Sequence, residues 1–214
     1  YERLQKLITG KDEESNKENS NKDTRIIPTM RDYIAGFTCR ELASKVVLPQ
    51  DIAKAHEEGI IHYHDTDYSP VMPMTNCCLI NLEDMLQNST VISGVKINKP
   101  HSFRTACTIT TQIITQVASS QYGGNTITLS HLAPFVDISR KNLKEKHPEL
   151  TPEQIERFIE DEIRDGVQTI QYQLITMSTT NGQAPFTSMF MWINEVEDAQ
   201  TKHDLALIIE EVLR

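Results

Sequence analysis

Gly59-Ile60-Ile61-His62-Tyr63-His64-Asp65-Thr66-Asp67-Tyr68-Ser69-Pro70, followed by Thr75-Asn76-Cys77-Cys78-Leu79-Ile80, places two imidazoles, two carboxylates and two thiols within twenty positions. It then enters an apolar, strand-like run. Ile60 to Tyr68 reads as extended, with Pro70 and Pro73 excluding a helix. Cys77 to Asn81 reads as a buried strand. Reactive groups at the mouth of such a strand are held by a rigid element, as an active site requires. On an extended chain His62 and His64 share one side and Asp65 takes the other. The same alternation sends Cys77 and Cys78 to opposite faces.

Upstream, residues 9 to 25 are polar and rich in lysine and asparagine, the composition of a linker or mobile arm. Residues 1–25 are therefore separated from 26–214 as an N-terminal arm. Thr29-x-x-Asp32 predicts a helix start with a capping box, continued by Met30, Ile34, Phe37, Leu42 and Val46 and ended by Pro49. Asp51 to Glu58 predicts a short helix that stops at Gly59. Downstream, Leu82 to Leu86 is a helical turn and Val91 to Ile97 a hairpin or loop.

Ser102 predicts the cap of a helix running to about Gln121, with Phe103, Ala106, Ile109, Ile113 and Val117 as its apolar stripe. Gly123-Gly124 is read as its C-terminal cap. Another helix is expected from Ser130 to about Lys146. Thr151-Pro152-Glu153-Gln154 is a strong helix start, followed by Ile155, Phe158, Ile159, Ile163, Val167, Ile170 and Leu174 on one stripe. Phe186 to Ile193 predicts a strand and Asp198 to Leu213 a closing helix.

The 214 residues carry 38% hydrophobic content and a net charge of −9. No apolar run approaches the roughly twenty residues of a membrane span. The acidic balance argues against a general nucleic-acid surface. The polar start, Tyr1-Glu2-Arg3, shows no signal peptide and lacks Met, so residues are expected upstream. Four cysteines (Cys39, Cys77, Cys78, Cys107) do not resemble a disulfide framework, and a reducing cytoplasm is the simplest reading. The elements give a mixed α/β class with two or three strands, too few to close a sheet, so the chain reads as part of a larger barrel.

Several residues carry chemistry. Cys77 is the candidate catalytic thiol, against the alternative of a small core residue. His62 and His64 either contact a site directly, bind a metal with the nearby carboxylates, or form a buried hydrogen-bond network. The alternation that parts Asp65 from His64 leaves too few donors on one side, so no metal is expected. Asn181-Gly182-Gln183, between a helix and a strand, is a tight turn or a substrate contact. Helix 102 to 121 has a face of Thr105, Thr108, Gln112, Thr115 and Gln116 instead of the Lys and Glu of a solvated face, which suggests a helix packed on another helix.

The Gly59–Ile80 wording resembles the anaerobic ribonucleoside-triphosphate reductases, glycyl-radical enzymes that make deoxynucleotides. Four further segments match that family: Asn19-Ser20-Asn21-Lys22-Asp23-Thr24-Arg25, Gln116 to Gly124, Leu132-Ala133-Pro134-Phe135-Val136-Asp137, and Asn181-Gly182-Gln183-Ala184-Pro185-Phe186. Five weak matches in the right order make a specific signal over most of residues 15 to 192. The resemblance implies a ten-stranded α/β barrel of the glycyl-radical type, with this chain supplying its N-terminal helices and first strands. It also implies reduction of ribonucleoside triphosphates to 2′-deoxyribonucleoside triphosphates, with Cys77 on the first barrel strand facing the ribose.

His62, His64, Asn76, Asn181 and Gln183 follow as active-site candidates. The helix at 102 to 121 corresponds to a dimer-interface helix beside the effector site, which makes Asn98, His101, Gln112 and Gln116 effector candidates for deoxynucleotides or ATP. The implied cofactors are a glycyl radical on a C-terminal glycine and a structural zinc, both outside this chain, with formate as reductant. The implied partners are a second copy of the chain and a radical-SAM activating enzyme. The segment alone is expected to be inactive. Two other classes compete: a different glycyl-radical enzyme sharing the barrel, and a nucleotide-sensing dimerisation module without chemistry.

Overall fold

The computed structural model describes residues 2–9, 11, 27–72, 74–180 and 184–214. The chain divides into two compact units. One comprises Tyr1–Asn76, Ser119–Tyr122 and Ser178–Ala184; the other comprises Cys77–Ala118, Gly123–Met177 and Pro185–Arg214.

The first unit is helical. Its α1 (Glu2–Ile8) lies within the segment read as a polar arm and packs on α2 (Ile27–Leu42). Thr29 is buried inside α2 and does not cap it. Pro28 is accommodated in the first turn, where a missing N–H removes no helical hydrogen bond. A π-helical turn, Ala43–Val47, continues α2 and is closed by Leu48 N–H donating to the Ala43 carbonyl at 2.9 Å. Leu48 is extended, as a residue before proline is biased to be. Helix α3 (Gln50–Glu57) then runs to just before Gly59.

The expected extension from Ile60 to Tyr68 does not form. Asp65 adopts φ 56°, and its carbonyl accepts from Tyr68 N–H at 2.9 Å and Ser69 N–H at 2.7 Å. Met72 N–H donates back to the Tyr68 carbonyl at 2.6 Å. Aspartate tolerates the left-handed region and seeds turns, so local turn chemistry overrides the apparent alternation. Tyr68 Oη donates to Asp32 Oδ1 at 2.7 Å and ties the turn to α2.

The second unit is mixed α/β. A sheet of order β1-β4-β5 is formed by β1 (Asn76–Leu79), β4 (Tyr122–Thr128) and β5 (Thr187–Phe190). Strands β4 and β5 are parallel, with Asn125 opposite Thr187 and Thr128 opposite Phe190. Helices α6 (Ala133–Lys146) and α7 (Pro152–Thr176) make the long crossover that parallel neighbours need. The hairpin β2 (Thr90–Ile92) and β3 (Val95–Ile97), α4 (Leu82–Gln87), α5 (Phe103–Ala118) and α8 (Ala199–Val212) complete the unit. The core joins Phe103, Ile113 and Ile114 of α5 to Phe135 of α6, Ile159 and Ile163 of α7, Leu205 and Ile208 of α8, and Ile127 of β4.

Most of the helical reading stands. The Thr151–Gln154 capping box is present with both bonds, and Ser102 Oγ accepts from Thr105 N–H at 3.1 Å. Ile155, Ile159, Ile163, Val167 and Ile170 are buried, whereas Phe158 is exposed. Strand β4 is the main correction. Gly123-Gly124 lie inside it instead of capping α5, which ends at Ala118. Gly123 takes φ 82°, and a Cβ on Gly124 would lie 2.6 Å from the Phe186 ring. The glycines therefore serve strand packing, and the β-branched run Thr126-Ile127-Thr128 is its propensity signal. The helix expected from Ser130 starts at Ala133, after a 3-10 turn at Leu129–His131.

Strand β1 is also not buried as expected. Cys77 and Leu79 are exposed, and Ile80, just past the strand, is the residue that enters the core.

Candidate functional site

In the first unit the turn gathers three histidines. His56, at the end of α3, accepts the Tyr63 N–H on Nδ1 at 3.1 Å and so fixes the backbone between His62 and His64. The His56 and His62 rings lie 5.6 Å apart, and the His62 and His64 rings 5.3 Å apart. His62 Nε2 and His64 Nδ1 are 3.2 Å apart, within hydrogen-bond range. Asn76 Nδ2 contacts His64 Nε2 and donates to Asp65 Oδ2 at 2.9 Å. The alternation that parted Asp65 from His64 fails with the strand: Asp65 Oδ1 is 3.6 Å from His64 Nε2. The Asp65 side chain is 9% exposed and that of His64 60%. Among the described residues no group of three or more His, Cys, Asp or Glu is placed to hold a metal ion.

Sequence reasoning missed His56. Its signal is a histidine at a helix end six residues before His62, which becomes meaningful only once the chain turns back. Asn181 and Gln183, and the segment Asn19–Arg25, lie outside the described residues.

In the second unit, Cys77 is the second residue of β1 and takes φ 62°, a conformation uncommon for any residue but glycine. It is the exposed member of four free cysteines. Cys78 turns the other way and packs against the core. Burial, then the neighbouring Cys77, pushes the Cys78 thiol up. Burial, then Asp67 and Asp32, does the same to Cys39. Cys107 is pushed well above the thiol range, chiefly by burial and then by Glu162. Exposure therefore separates Cys77 from the other three, of which Cys39 and Cys107 are buried and Cys78 half-buried.

A cleft of about 340 Å³ opens near the carboxyl ends of β4 and β5, lined by Leu79, Thr128, His131, Phe190 and Glu195 among others. Ligands of open α/β sheets bind at such strand ends. His131 Nδ1 is buried there without a hydrogen-bond partner, and Glu195 accepts from Ser130 Oγ at 2.8 Å. Neither residue stands out in the sequence, because strand β4 has to be recognised first.

The effector candidates lie along α5 and just before it. Gln112 and Gln116 are exposed one turn apart, and Gln116 accepts from Ser93 Oγ of the β2–β3 turn at 3.3 Å. His101 instead borders a cleft of about 720 Å³ shared with α6 and α7, and its carbonyl accepts from Asn142 Nδ2 at 2.7 Å. Gln112 and Gln116 do not line that cleft, so the structure does not gather the set into one pocket; Asn98 is exposed. The threonines on this face are less polar than they read. Thr108 and Thr115 donate to the carbonyls of Arg104 and Thr111, at 3.1 and 2.9 Å. Their hydroxyls are therefore satisfied within α5.

Comparison with known proteins places these features in context. The family profile described as "Anaerobic ribonucleoside-triphosphate reductase" matches residues 18–214. The chain is 43% identical over 195 residues to the anaerobic ribonucleoside-triphosphate reductase of Haemophilus influenzae, covering 86% of this chain and 28% of the relative. It is 39% identical over 222 residues to that of Escherichia coli (99% and 30%) and 40% identical over 200 residues to that of Enterobacteria phage T4 (87% and 32%). It thus spans under a third of the length of the curated relatives it matches. Among solved structures, the anaerobic ribonucleotide reductase from Thermotoga maritima, in complex with dATP and CTP, superposes with a TM-score of 0.57 at 13% identity. That match covers 86% of this chain and 32% of the other, and shows a shared fold.

Proposed function

The chain belongs to the anaerobic ribonucleoside-triphosphate reductase family, and from that premise we propose that the full-length protein reduces ribonucleoside triphosphates to 2′-deoxyribonucleoside triphosphates. In this reading residues 26–214 are the N-terminal part of a glycyl-radical barrel, and residues 1–25 an arm before it. Formate is oxidised to carbon dioxide, giving up two electrons; one proton is consumed, and the 2′-hydroxyl leaves as water. The glycyl radical, on a glycine outside this chain, supplies the initiating radical chemistry. The observation that carries the reading is an exposed thiol, Cys77, in the first half of a strand on which its neighbour Cys78 packs against the core. In this reading Cys77 supplies hydrogen or an electron as the 2′-hydroxyl leaves.

His62, His64 and Asn76 support that site, with Asn181 and Gln183 as substrate contacts. A structural zinc belongs outside this segment, and a radical-SAM enzyme generates the radical. Four free cysteines suit a reducing cytoplasm. No described helix is long and apolar enough to cross a membrane.

The test is direct. Activated anaerobically with formate and CTP, the full-length protein is expected to release dCTP. Failure to reduce any of the four ribonucleoside triphosphates, with formate or with a dithiol, would overturn the assignment.

We also assign the outward face of α5 to a two-fold contact between copies, with Asn98, His101, Gln112 and Gln116 near bound deoxynucleotide or ATP. A closed symmetric interface uses the same helix from both chains. Thr108→Glu or Thr115→Lys places a charge there and is expected to weaken the dimer in sedimentation and to blunt effector control of substrate choice. Tight dimers with a normal effector response would remove α5 from the interface.

A further inference from the structure

We propose that Phe186 forms the apolar wall of the Cys77 site, its ring lying in the side-chain gap that Gly124 leaves beside the thiol. The register of the sheet sets the three residues side by side, all within the second unit. Asn125 lies opposite Thr187, and the bond behind that pairing runs from Asn125 N–H to the Phe186 carbonyl at 2.9 Å. One step back, Gly124 is opposite Phe186. On the other side of β4, Ile80 N–H donates to the Thr126 carbonyl at 2.8 Å. Only a parallel run keeps the four residues of β1 beside β4, because an antiparallel one would carry Asn76 past its end at Thr128. By the relation that holds between β4 and β5, Ile80 is then opposite Ile127. Three residues back, Cys77 is opposite Gly124.

Side-chain direction agrees with this row. Asn125 and Ile127 are buried on the helix-covered face, where Thr187 Oγ1 donates to Asn125 Oδ1 at 3.0 Å and Met189 packs against the core. Alternation sends Gly124, Thr126, Phe186 and Phe190 to the open face, and Phe186 is 65% exposed there. Cys77 shares that face, since Cys78 takes the core side. The Phe186 ring leans across β4: its Cδ1 and Cε1 lie 2.6 and 3.2 Å from where a Cβ on residue 124 would stand. Neighbouring strands are about 4.8 Å apart. The ring edge therefore comes within roughly 5 Å of Cys77, the range in which sulfur and an aromatic ring attract. Residue 124 is glycine for the sake of the ring, because the positive φ belongs to Gly123. The row thus holds one side-chain heteroatom, the Cys77 sulfur, beside a hydrocarbon surface. A ribose laid on that surface is kept over the thiol, and the ring has no acidic proton to give it. The ribose rests on the reductase reading above, while the place of the ring does not.

Two measurements on the full-length protein test it. With 4-fluorophenylalanine at position 186, the fluorine resonance is expected to move on Cys77→Ala, and by more than on Cys78→Ala, whose sulfur is on the opposite face. An equal or smaller response to Cys77→Ala overturns the placement of the ring, whatever the activity. In anaerobic assays Phe186→Ala is expected to lower kcat by about 10²-fold, the cost of a reacting group misplaced by about 1 Å, with KM for CTP within about threefold and the glycyl-radical signal unchanged. Phe186→Leu keeps a hydrocarbon wall and is expected to recover at least about tenfold of that loss. Gly124→Ala displaces the ring and is expected to lower kcat by a similar factor, but to cost less than about twofold once Phe186→Ala is present, because the two residues then share no contact. Unchanged kcat in Phe186→Ala, a change confined to KM, no recovery in Phe186→Leu, or the full cost of Gly124→Ala without the ring would each overturn the wall. An unmodified protein that makes no deoxynucleotide would sink the reductase reading and leave the fluorine result to decide the ring.

Discussion

Cys77→Ala in the full-length enzyme is expected to lower deoxynucleotide formation by at least about a thousandfold, the scale seen when a group that does chemistry is removed. The fold and the glycyl-radical signal are expected to persist, because Cys77 is exposed and supports no core contact of its unit. Alanine keeps a Cβ, so the backbone at φ 62° faces the same steric demand before and after the change. The loss then reports the thiol alone. Cys78→Ala is the control. It removes one sulfur from a half-buried packing position, a change of about 1 kcal/mol or less in stability, and substantial activity is expected to remain. Product formation by anaerobic chromatography ranks the two variants. If Cys78→Ala were the dead one and Cys77→Ala the active one, the assignment would be reversed.

The largest effect on stability is expected at Asp204. Arg140 of α6 is enclosed, with side-chain exposures of 5% for it and 0% for Asp204 of α8. Arg140 Nη1 and Nη2 donate to the two carboxylate oxygens of Asp204 at 3.0 and 2.6 Å. Nε and Nη2 also donate to Glu156 of α7, at 2.8 and 3.2 Å. One guanidinium thus fastens three helices. Burial on its own would push Arg140 toward neutrality, but the bonds to Asp204 and Glu156 outweigh it and raise its pKa above the usual arginine value. Asp204→Ala strips the enclosed partner and leaves a buried cation half-compensated, which costs about 3–5 kcal/mol. The unfolding midpoint of the full-length protein is expected to fall sharply. A compensating pair, Arg140→Met with Asp204→Leu, is expected to recover most of the loss, because no buried charge is left uncompensated and Glu156, released by the change, is exposed to water. An Asp204→Ala midpoint equal to that of the native protein would show that the cluster is idle.

The sequence made the helices legible because their signals are local. The capping box at Thr151 and the stripe from Ile155 to Ile170 need no knowledge of the rest of the chain. Strand β4 was obscured because Gly123-Gly124 satisfy two opposite readings, and only the Phe186 ring packed on Gly124 separates them. The histidine turn was obscured for the converse reason. Alternation of His62 and His64 imitates a strand, but Asp65 accepts a positive φ and reverses the chain. The opposed directions of Cys77 and Cys78 were legible from strand periodicity, which survives even though β1 is exposed. The Arg140–Asp204 pair joins residues 64 positions apart, and nothing in either local sequence announces the other.

Among the described residues, β1 and β5 are the outer members of their sheet, and each carries an exposed large apolar side chain, Leu79 and Phe190. Edges of this kind invite pairing with whatever strand arrives first. The order of synthesis sharpens the hazard. Ile80 N–H is satisfied by the Thr126 carbonyl at 2.8 Å, an acceptor that leaves the ribosome only after some 46 further residues. At about 5–20 residues per second that is a wait of roughly 2 to 9 seconds. For those seconds the Cys77 thiol rides on a nascent strand with no sheet to join. Strand β1 is thus the member of this sheet that waits longest for a neighbour as the chain is made.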